Sequence, residues 1–132
     1  LQTLLCGWLV RIGRDTGQAA AWVLLVPQRE NLRELLDLDD EEQGLLIQEV
    51  SLVAGRLRDA LQPDKLNVAS IGNLVPQLHL HIVARYESDA AWPSPVWGKF
   101  PPEPYTETGV RTLLCQLALE RLPGFTSWPG VG

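Results

Sequence analysis

The chain has 132 residues, of which 45% are hydrophobic, and this length and composition suit a single globular domain over residues 1–132. Sixteen acidic and eleven basic side chains give a formal net charge of −5 without any basic cluster, which argues against a nucleic-acid partner. No apolar stretch approaches the roughly 20 residues of a membrane span, and no signal-peptide pattern is present. Cys6 and Cys115 are too far apart for a zinc knuckle, and two cysteines alone cannot define a disulfide framework, so we expect a location in the reducing cytoplasm. The lack of a membrane-length apolar stretch predicts no membrane partner.

The first two predicted elements are β-strands. Residues 4–12 and 21–26 are apolar runs of strand length, and the second is apolar at every position, which is typical of a strand buried on both faces. Gly13, Asp15 and Gly17 lie between the two runs and favour a turn. The sequence therefore predicts a hairpin whose second strand ends at Pro27.

A helix is predicted from about residue 40 to residue 62. Asp39 and Glu42 have the spacing of a capping box, and further acids in the first turn suit the positive end of the helix dipole. Pro63 ends the pattern. Apolar residues recur every three to four positions, which indicates one face packed on a sheet: Leu46, Val50, Val53, Leu57 and Leu61.

The third and fourth predicted strands, residues 65–71 and 78–86, flank a turn at Gly72 and Asn73. Strict alternation along the fourth strand sends successive side chains to opposite faces of the sheet. One face is apolar and is predicted to lie in the core: Leu78, Leu80, Ile82, Ala84 and Tyr86. The other face holds the only two histidines of the chain and is the functional candidate: Gln77, His79, His81, Val83 and Arg85.

The composition changes after Tyr86, because seven of the ten prolines follow it. Residues 88–104 are therefore predicted to lack regular structure, either as a disordered linker or as an ordered loop. The aromatic side chains of Trp92, Trp97 and Phe100 favour the ordered loop. Apolar spacing then predicts a last amphipathic helix over about residues 108–122, and the tail from Phe125 is predicted to be a loop.

Two histidines on one strand face supply nitrogens that titrate near physiological pH. Such a pair is as often structural as functional, but the adjacent Gly72-Asn73 turn adds amide donors that suit an anion, and Gln77 continues the polar face. The His-x-His spacing also suits a metal site like that of the cupins, a class of metal-dependent enzymes. Cupins usually add a glutamate four or five residues after the second histidine, where this chain has Arg85 and Tyr86.

The segment from Gln77 to Val83 resembles the histidine-triad motif of the HIT superfamily, in which three histidines alternate with apolar residues and two apolar residues follow. Here glutamine stands in place of the first histidine. Residues 71–76 are similar to the Gly-Gln-(Ser/Thr)-Val-Pro lead-in of that family, and residues 91–98 resemble a Trp-Pro-x-Pro-Val-Trp-Gly segment of a bacterial branch. The resemblance covers about residues 4–99. It implies an α+β HIT-like fold, with an antiparallel sheet, a packed helix and a C-terminal helix.

The resemblance also implies a nucleotide-binding hydrolase or nucleotidyl transferase without a cofactor. His79 would attack the α-phosphorus of a small nucleotide substrate, while His81 and Asn73 would contact the phosphate oxygens. Gln77 would lie on the leaving-group side, where a carboxamide donates a hydrogen bond but cannot shuttle a proton. A nucleotide-binding module without turnover is the alternative that this glutamine keeps open.

Nucleoside contacts and assembly are further implications of the resemblance. Asp15 is the candidate for the ribose hydroxyls, although it equally suits a residue that caps a turn. Trp97 is the candidate for closing the pocket over the nucleotide, or else it covers the sheet. HIT proteins commonly pair the helix and the strand after it across a two-fold axis, so we expect a homodimer.

Overall fold

The computed structural model describes residues 3–11, 19–99 and 125–127, and it describes side chains over residues 21–99. The described part forms one five-stranded sheet with a long helix packed on one face. The elements in chain order are strand β1 (Thr3–Arg11), strand β2 (Ala19–Pro27), helix α1 (Asp40–Leu61), strand β3 (Lys65–Ala69), strand β4 (Leu80–Arg85) and strand β5 (Phe125–Ser127). A short 3₁₀ turn, Leu35–Asp37, precedes the helix. The predicted α+β architecture is confirmed.

The strand order across the sheet is β3-β4-β2-β1-β5, so β4 is an inner strand between β3 and β2. All neighbours are antiparallel except β1 and β5, which run parallel. The prediction of a loop from Phe125 was therefore wrong. Phe125–Ser127 is only three residues long, too short for alternation to be visible, and its pairing partner lies more than 100 residues away in the sequence.

The fourth strand is shorter than predicted, and this changes where the histidines lie. β4 begins at Leu80, opposite Leu25 of β2, so Gln77 and His79 precede the strand. The ladder does not extend further towards the N-terminus because the segment before Leu80 bonds elsewhere: the amide of Leu78 donates to the carbonyl of Leu32 over 2.8 Å. Consequently only His81 of the pair lies within the regular alternation.

Helix α1 follows the prediction closely. The carboxylate of Asp39 accepts a hydrogen bond from the amide of Glu42 and caps the first turn, while the Glu42 side chain pairs with Arg29. The helix packs its apolar stripe on the sheet and so builds the main core. That core contains most of the predicted helix stripe and most of the predicted apolar face of the fourth strand: Leu46, Val50, Val53, Leu57, Leu78, Leu80, Ile82 and Ala84. Leu61 is only partly buried against it. Tyr86, also predicted to lie in the core, follows the end of β4 and is half-buried, with its hydroxyl donating to the carbonyl of Leu61.

The opposite face of the sheet is also covered, which the alternation of β4 did not predict. Every residue of β4 is buried, because the segment over residues 88–99 packs on the side away from the helix. Ala91 and Val96 form a second apolar cluster with Trp22 and Val83, and Trp97 is packed against it. Within residues 88–99 the aromatic-rich segment is therefore an ordered loop that contacts the histidine face.

Arg85, which was predicted to lie on the functional face with the histidines, is instead buried and holds this loop in place. Its buried guanidinium forms two hydrogen bonds with the carboxylate of Asp89, one with the side chain of Asn67 and one with the carbonyl of Ser94. Burial alone would raise the pKa of Asp89, but hydrogen bonds from Arg85 and from backbone amides hold it below its ordinary value. The start of the loop segment at Asp89 and its middle at Ser94 are thereby tied to the end of β4.

Three sequence predictions lie outside the described residues: the turn that contains Asp15, the end of the aromatic-rich loop after Lys99, and the helix over about residues 108–122. No helix in the described part of the chain is both long and apolar enough to cross a membrane.

Candidate active site

His79 lies on the segment that enters β4, and its ring is held by the main chain. Nδ1 of His79 is 2.7 Å from the carbonyl oxygen of Gln77. Because a carbonyl can only accept, Nδ1 must carry the proton and Nε2 must carry the lone pair in the neutral ring. His79 therefore presents an unprotonated nitrogen whose orientation is fixed by a backbone hydrogen bond.

Gln77 is held at the end of β2 by its side chain. Its Nε2 lies 3.2 Å from the carbonyl oxygen of Pro27 and 3.4 Å from that of Arg29. Both acceptors are carbonyls, so this geometry identifies the NH₂ group and not the oxygen as the group that faces them. The same residue thus anchors its side chain on one segment and orients His79 with its own carbonyl.

His81 lies inside β4, and an indole ring from the neighbouring strand is bonded to it. Nε1 of Trp22 donates to Nδ1 of His81 over 2.8 Å. In the sheet register Leu24 is directly opposite His81, and Trp22 is its diagonal neighbour two residues along β2. The rings of His79 and His81 meet edge to face, with centroids 5.0 Å apart.

Burial lowers the pKa of His81 from 6.5 to about 4, and the neighbouring His79 adds to this effect. His81 is therefore neutral at pH 7. The tautomer follows from its partner, because an indole N–H can only donate: Nδ1 of His81 is the acceptor and Nε2 carries the proton.

The depressed pKa of His81 predicts a loss of stability on mild acidification. Between pH 6.5 and about 4 the unfolded chain binds a proton on His81 that the folded chain does not, so the free energy of unfolding falls as pH falls. The largest loss from this group is about 3 kcal/mol at 1.4 kcal/mol per pKa unit. Urea denaturation at a series of pH values in this range measures the slope.

The matched variant for this slope is His81→Asn, which removes the titrating group. We expect a clearly shallower slope for the variant than for the wild type. Asp89 does not contribute in this window, because its pKa is held below 3.8 and its stabilisation is lost only at lower pH. Equal slopes for the two proteins would show that His81 titrates normally in the folded state.

Trp97, predicted either to close the pocket over the nucleotide or to cover the sheet, packs against His81. Its ring centroid lies 5.5 Å from that of His81 and 5.6 Å from that of Trp22, in both cases edge to face. Trp97 also lines a groove of about 630 Å³ between the loop and the edge strand. The other residues that line this groove are Lys65, Leu66, Asn67, Val68, Pro93 and Pro95.

The loop before the histidines approaches His79 at Gly72. Gly72 has a φ of +66°, and a Cβ at this position would lie 3.3 Å from the carbonyl oxygen of Val75 and 3.9 Å from Cε1 of His79. Glycine is therefore required both by the backbone conformation and by the close approach. Asn73, the predicted phosphate contact, follows directly and its side chain is exposed.

Sequence reasoning missed Trp22 as a residue of this site. The apolar run of β2 showed only that the strand would be buried, and Trp22 is 59 positions from His81. Its role becomes visible only through the register between β2 and β4, which no local pattern specifies.

Both the sequence and the fold of the chain are similar to those of known proteins. The family model of the HIT domain matches residues 9–88. A solved histidine triad protein from Sinorhizobium meliloti is 36% identical, with 88% of this chain and 90% of that chain covered and a TM-score of 0.71. Two further histidine triad proteins match similarly. The one from Bradyrhizobium japonicum is 38% identical, with 86% and 97% covered and a TM-score of 0.69. The one from Marinobacter aquaeolei is 39% identical, with 83% and 85% covered and a TM-score of 0.69.

The chain belongs to the HIT family. This confirms the resemblance drawn from the motif around His79 and places the protein in a superfamily of nucleotide-binding hydrolases and transferases. No curated protein matches the sequence.

Proposed function

We propose that the protein is a nucleotide hydrolase or nucleotidyl transferase that forms a nucleotidyl-histidine on His79. It acts at the α-phosphate of a nucleoside phosphate conjugate, either a phosphoramidate or a dinucleoside polyphosphate. The observation that carries the proposal is the 2.7 Å contact between Nδ1 of His79 and the carbonyl of Gln77. A neutral imidazole with its second nitrogen held in this way is a nucleophile near pH 7, and the carbonyl stabilises the positive charge that develops on attack.

The neighbouring groups fit the charge that such a reaction develops. The transition state of phosphoryl transfer spreads negative charge over the non-bridging oxygens, where hydrogen-bond donors are most effective. Nε2 of His81 carries a proton for this purpose, and Asn73 with the loop amides after Gly72 supplies further donors.

Turnover of defined substrates tests the function. Purified protein is incubated with adenosine 5′-phosphoramidate and with diadenosine polyphosphates, and the products are separated by ion-exchange chromatography. The proposal expects AMP as a product with at least one of these substrates. Tight binding of the same compounds without any product supports the alternative, a nucleotide-binding module that does not turn its ligand over.

Gln77, which stands in place of the first histidine of the motif, gives a prediction about leaving groups. Gln77→His introduces an imidazole that can protonate a leaving group, so we expect faster turnover of substrates with basic leaving groups and little change for those with acidic ones. General acid catalysis is typically worth about a hundredfold or more. The measurement is kcat across a series of substrates with leaving groups of graded pKa.

The wild type serves as the control in the leaving-group series for Gln77→His. Equal dependence on leaving-group pKa in both proteins would contradict a restriction imposed by Gln77, and would leave its contacts with Pro27 and Arg29 as its role.

We also predict that activity survives removal of divalent metals. Among the described residues, no group of three or more His, Cys, Asp or Glu side chains is arranged to hold a metal ion. The proposed reaction uses protein donors alone, so treatment with EDTA is expected to leave kcat within about twofold. Loss of activity with EDTA and its return with one particular divalent ion would favour the cupin-like metal enzyme instead.

The nucleoside contacts remain predictions. The contact between the Trp97 ring and the His81 ring, with centroids 5.5 Å apart, supports a role for Trp97 beside the bound nucleotide. Neither histidine lines the groove of about 630 Å³ next to Trp97, so that groove does not define the nucleotide site. Asp15 remains the candidate for the ribose hydroxyls. The cytoplasm remains the predicted location.

We propose that two copies of the chain associate through α1 and β3. β3 is an edge of the described sheet and offers unpaired backbone groups. Apolar side chains are exposed on the same side of the sheet as the helix: Leu45 and Leu52, seven residues apart on one helix stripe, are 39% and 50% exposed, and Val68 is 49% exposed. Burying these side chains in a two-fold interface would remove them from water.

The oligomeric state of two matched variants tests this interface. Leu52→Glu is expected to convert a dimer to a monomer in analytical ultracentrifugation. Ile47→Glu introduces the same charge at a similarly exposed position, 56%, on a different stripe of the helix, and is expected to leave the dimer intact. A wild-type monomer at micromolar concentration would contradict the proposed association.

A further inference from the structure

Two indole rings lie at the same distance from His81, one tilted by 60° and the other edge to face, but only the first is hydrogen-bonded to it. The ring centroids of Trp22 and Trp97 both lie 5.5 Å from that of His81. Nε1 of Trp22 donates to Nδ1 of His81 over 2.8 Å. Nε1 of Trp97 is buried and finds no acceptor among the described residues. The chain therefore offers a matched pair of tryptophans that separates the effect of the hydrogen bond from the effect of aromatic packing.

The hydrogen bond from Trp22 opposes protonation of His81. An imidazolium would direct an N–H at the indole N–H, so the bond exists only while Nδ1 keeps its lone pair. Among residues 21–99, whose side chains the structure describes, the titratable group that faces His81 is His79, whose ring centroid is 5.0 Å away. The remaining neighbours, Trp97 and the two residues opposite His81 in the sheet register, Leu24 and Ala69, are uncharged. No carboxylate among these neighbours favours the charged ring.

We propose that Trp22 is a positioning residue that keeps His81 neutral with its proton on Nε2, and that the site consequently selects substrates whose leaving group departs as an anion. The role of Trp22 concerns the protonation state of one side chain, His81, and does not depend on turnover. The selection of substrates by their leaving group rests on the proposed function. A neutral His81 donates a hydrogen bond to a phosphate oxygen, but transfer of its proton would leave an imidazolate anion.

The described site residues therefore donate no proton to the leaving group, which must depart as an anion. In the proposed step the lone pair on Nε2 of His79 forms the N–P bond, the P–O bond breaks, and its electron pair remains on the departing oxygen. Water then attacks phosphorus, the pair of the N–P bond returns to Nε2 of His79, and the water proton passes to solvent. A phosphate or nucleotide carries the electron pair as a stable anion, whereas an amine must be protonated to leave. Neither His81 nor the carboxamide of Gln77 supplies that proton.

The state of His81 is directly measurable because the chain contains only two histidines. Long-range ¹H–¹⁵N correlation spectra of the protein labelled with ¹⁵N-histidine distinguish the protonated nitrogen of each ring, and the variant His79→Asn identifies the signals of His81. We expect Nε2–H on His81, unchanged between pH 5.5 and 8. Titration of the His81 ring within this range, or a proton on Nδ1, would overturn the proposal without any variant of Trp22.

The two tryptophan variants assign the cause. In Trp22→Phe the ring remains but the donor is lost, so we expect the pH at which His81 protonates to rise and the hydrogen-bonded ¹⁵N signal of Nδ1 to shift. Trp97→Phe keeps the packing and removes an N–H that makes no bond to His81, so both signals should stay at the wild-type positions. Equal changes in the two variants would show that packing and not the hydrogen bond controls His81.

The claim that the site selects substrates with an anionic leaving group is tested with two substrates that share the adenylyl group. We expect kcat/KM for a diadenosine polyphosphate to exceed that for adenosine 5′-phosphoramidate by at least about a hundredfold, the usual size of missing general acid catalysis. An equal or faster reaction of the phosphoramidate would overturn the claim that the site selects anionic leaving groups. It would not change the spectra expected for His81, which test the role of Trp22 separately. Absence of turnover with both substrates would overturn the proposed function together with the selectivity, and the spectra would still decide the role of Trp22.

Discussion

Replacing His79 with alanine is expected to lower kcat/KM by at least about a thousandfold, because no other described group offers a lone pair fixed by a backbone carbonyl at this position. The fold should persist. His79 is half-buried and lies outside the main core, so the free energy of unfolding should change by no more than about 1 kcal/mol. Steady-state kinetics together with urea denaturation measure both effects on the same preparation.

The neighbouring histidine gives the control for His79→Ala. His81→Asn removes a donor to the phosphate oxygens but leaves the nucleophile, so its loss should be smaller, about a hundredfold to a thousandfold. An alanine variant at His79 that retains activity within tenfold of the wild type would rule out this residue as the nucleophile.

Asp89→Ala is expected to destabilise the folded chain by about 3–5 kcal/mol, which is the cost of leaving a buried charge without its partner. The side chains of Arg85 and Asp89 are only 2% and 5% exposed, and the carboxylate accepts two of the hydrogen bonds from the guanidinium. The remaining acceptors, Asn67 and the carbonyl of Ser94, are neutral. The free energy of unfolding in urea measures the effect.

A surface ion pair in the same chain is the matched control for Asp89→Ala. Arg58 and Asp59 are 4.0 Å apart with side chains 74% and 79% exposed, so Asp59→Ala should change stability by less than about 1 kcal/mol. Similar losses in Asp59→Ala and Asp89→Ala would mean that the Arg85–Asp89 pair is solvated and does not anchor the loop.

Local pattern predicted most of the sheet and the helix. The apolar spacing from Leu46 to Leu57 and the cap at Asp39 depend on neighbours within a few residues, so the helix bounds were nearly right. The spacing of His79 and His81 was likewise visible, and the surrounding motif identified the family. These features are properties of contiguous sequence, where a period or a short motif carries the information.

The parts that sequence reasoning missed depend on contacts between distant segments. Alternation placed Gln77 and His79 inside a strand, but the strand begins only where neighbouring strands provide ladder partners: Leu25 of β2 opposite Leu80, and Ala69 of β3 opposite His81. Arg85 was assigned to a functional face, although Asp89 and the loop bury it. The bond from Trp22 requires the register of β2 on β4. Register and loop packing are tertiary properties, and no period in a single segment encodes them.

The central claim is that His79 becomes covalently nucleotidylated during turnover. The most direct test is a single-turnover reaction with enzyme in excess over a diadenosine polyphosphate, stopped by alkaline quench within milliseconds to seconds and followed by peptide mapping with mass spectrometry. We predict an adenylyl group on the peptide that contains both histidines, located on His79 by fragmentation, retained in His81→Asn and absent in His79→Ala. Product formation in wild type with an adduct on another residue, or undiminished product formation in His79→Ala, would contradict the claim.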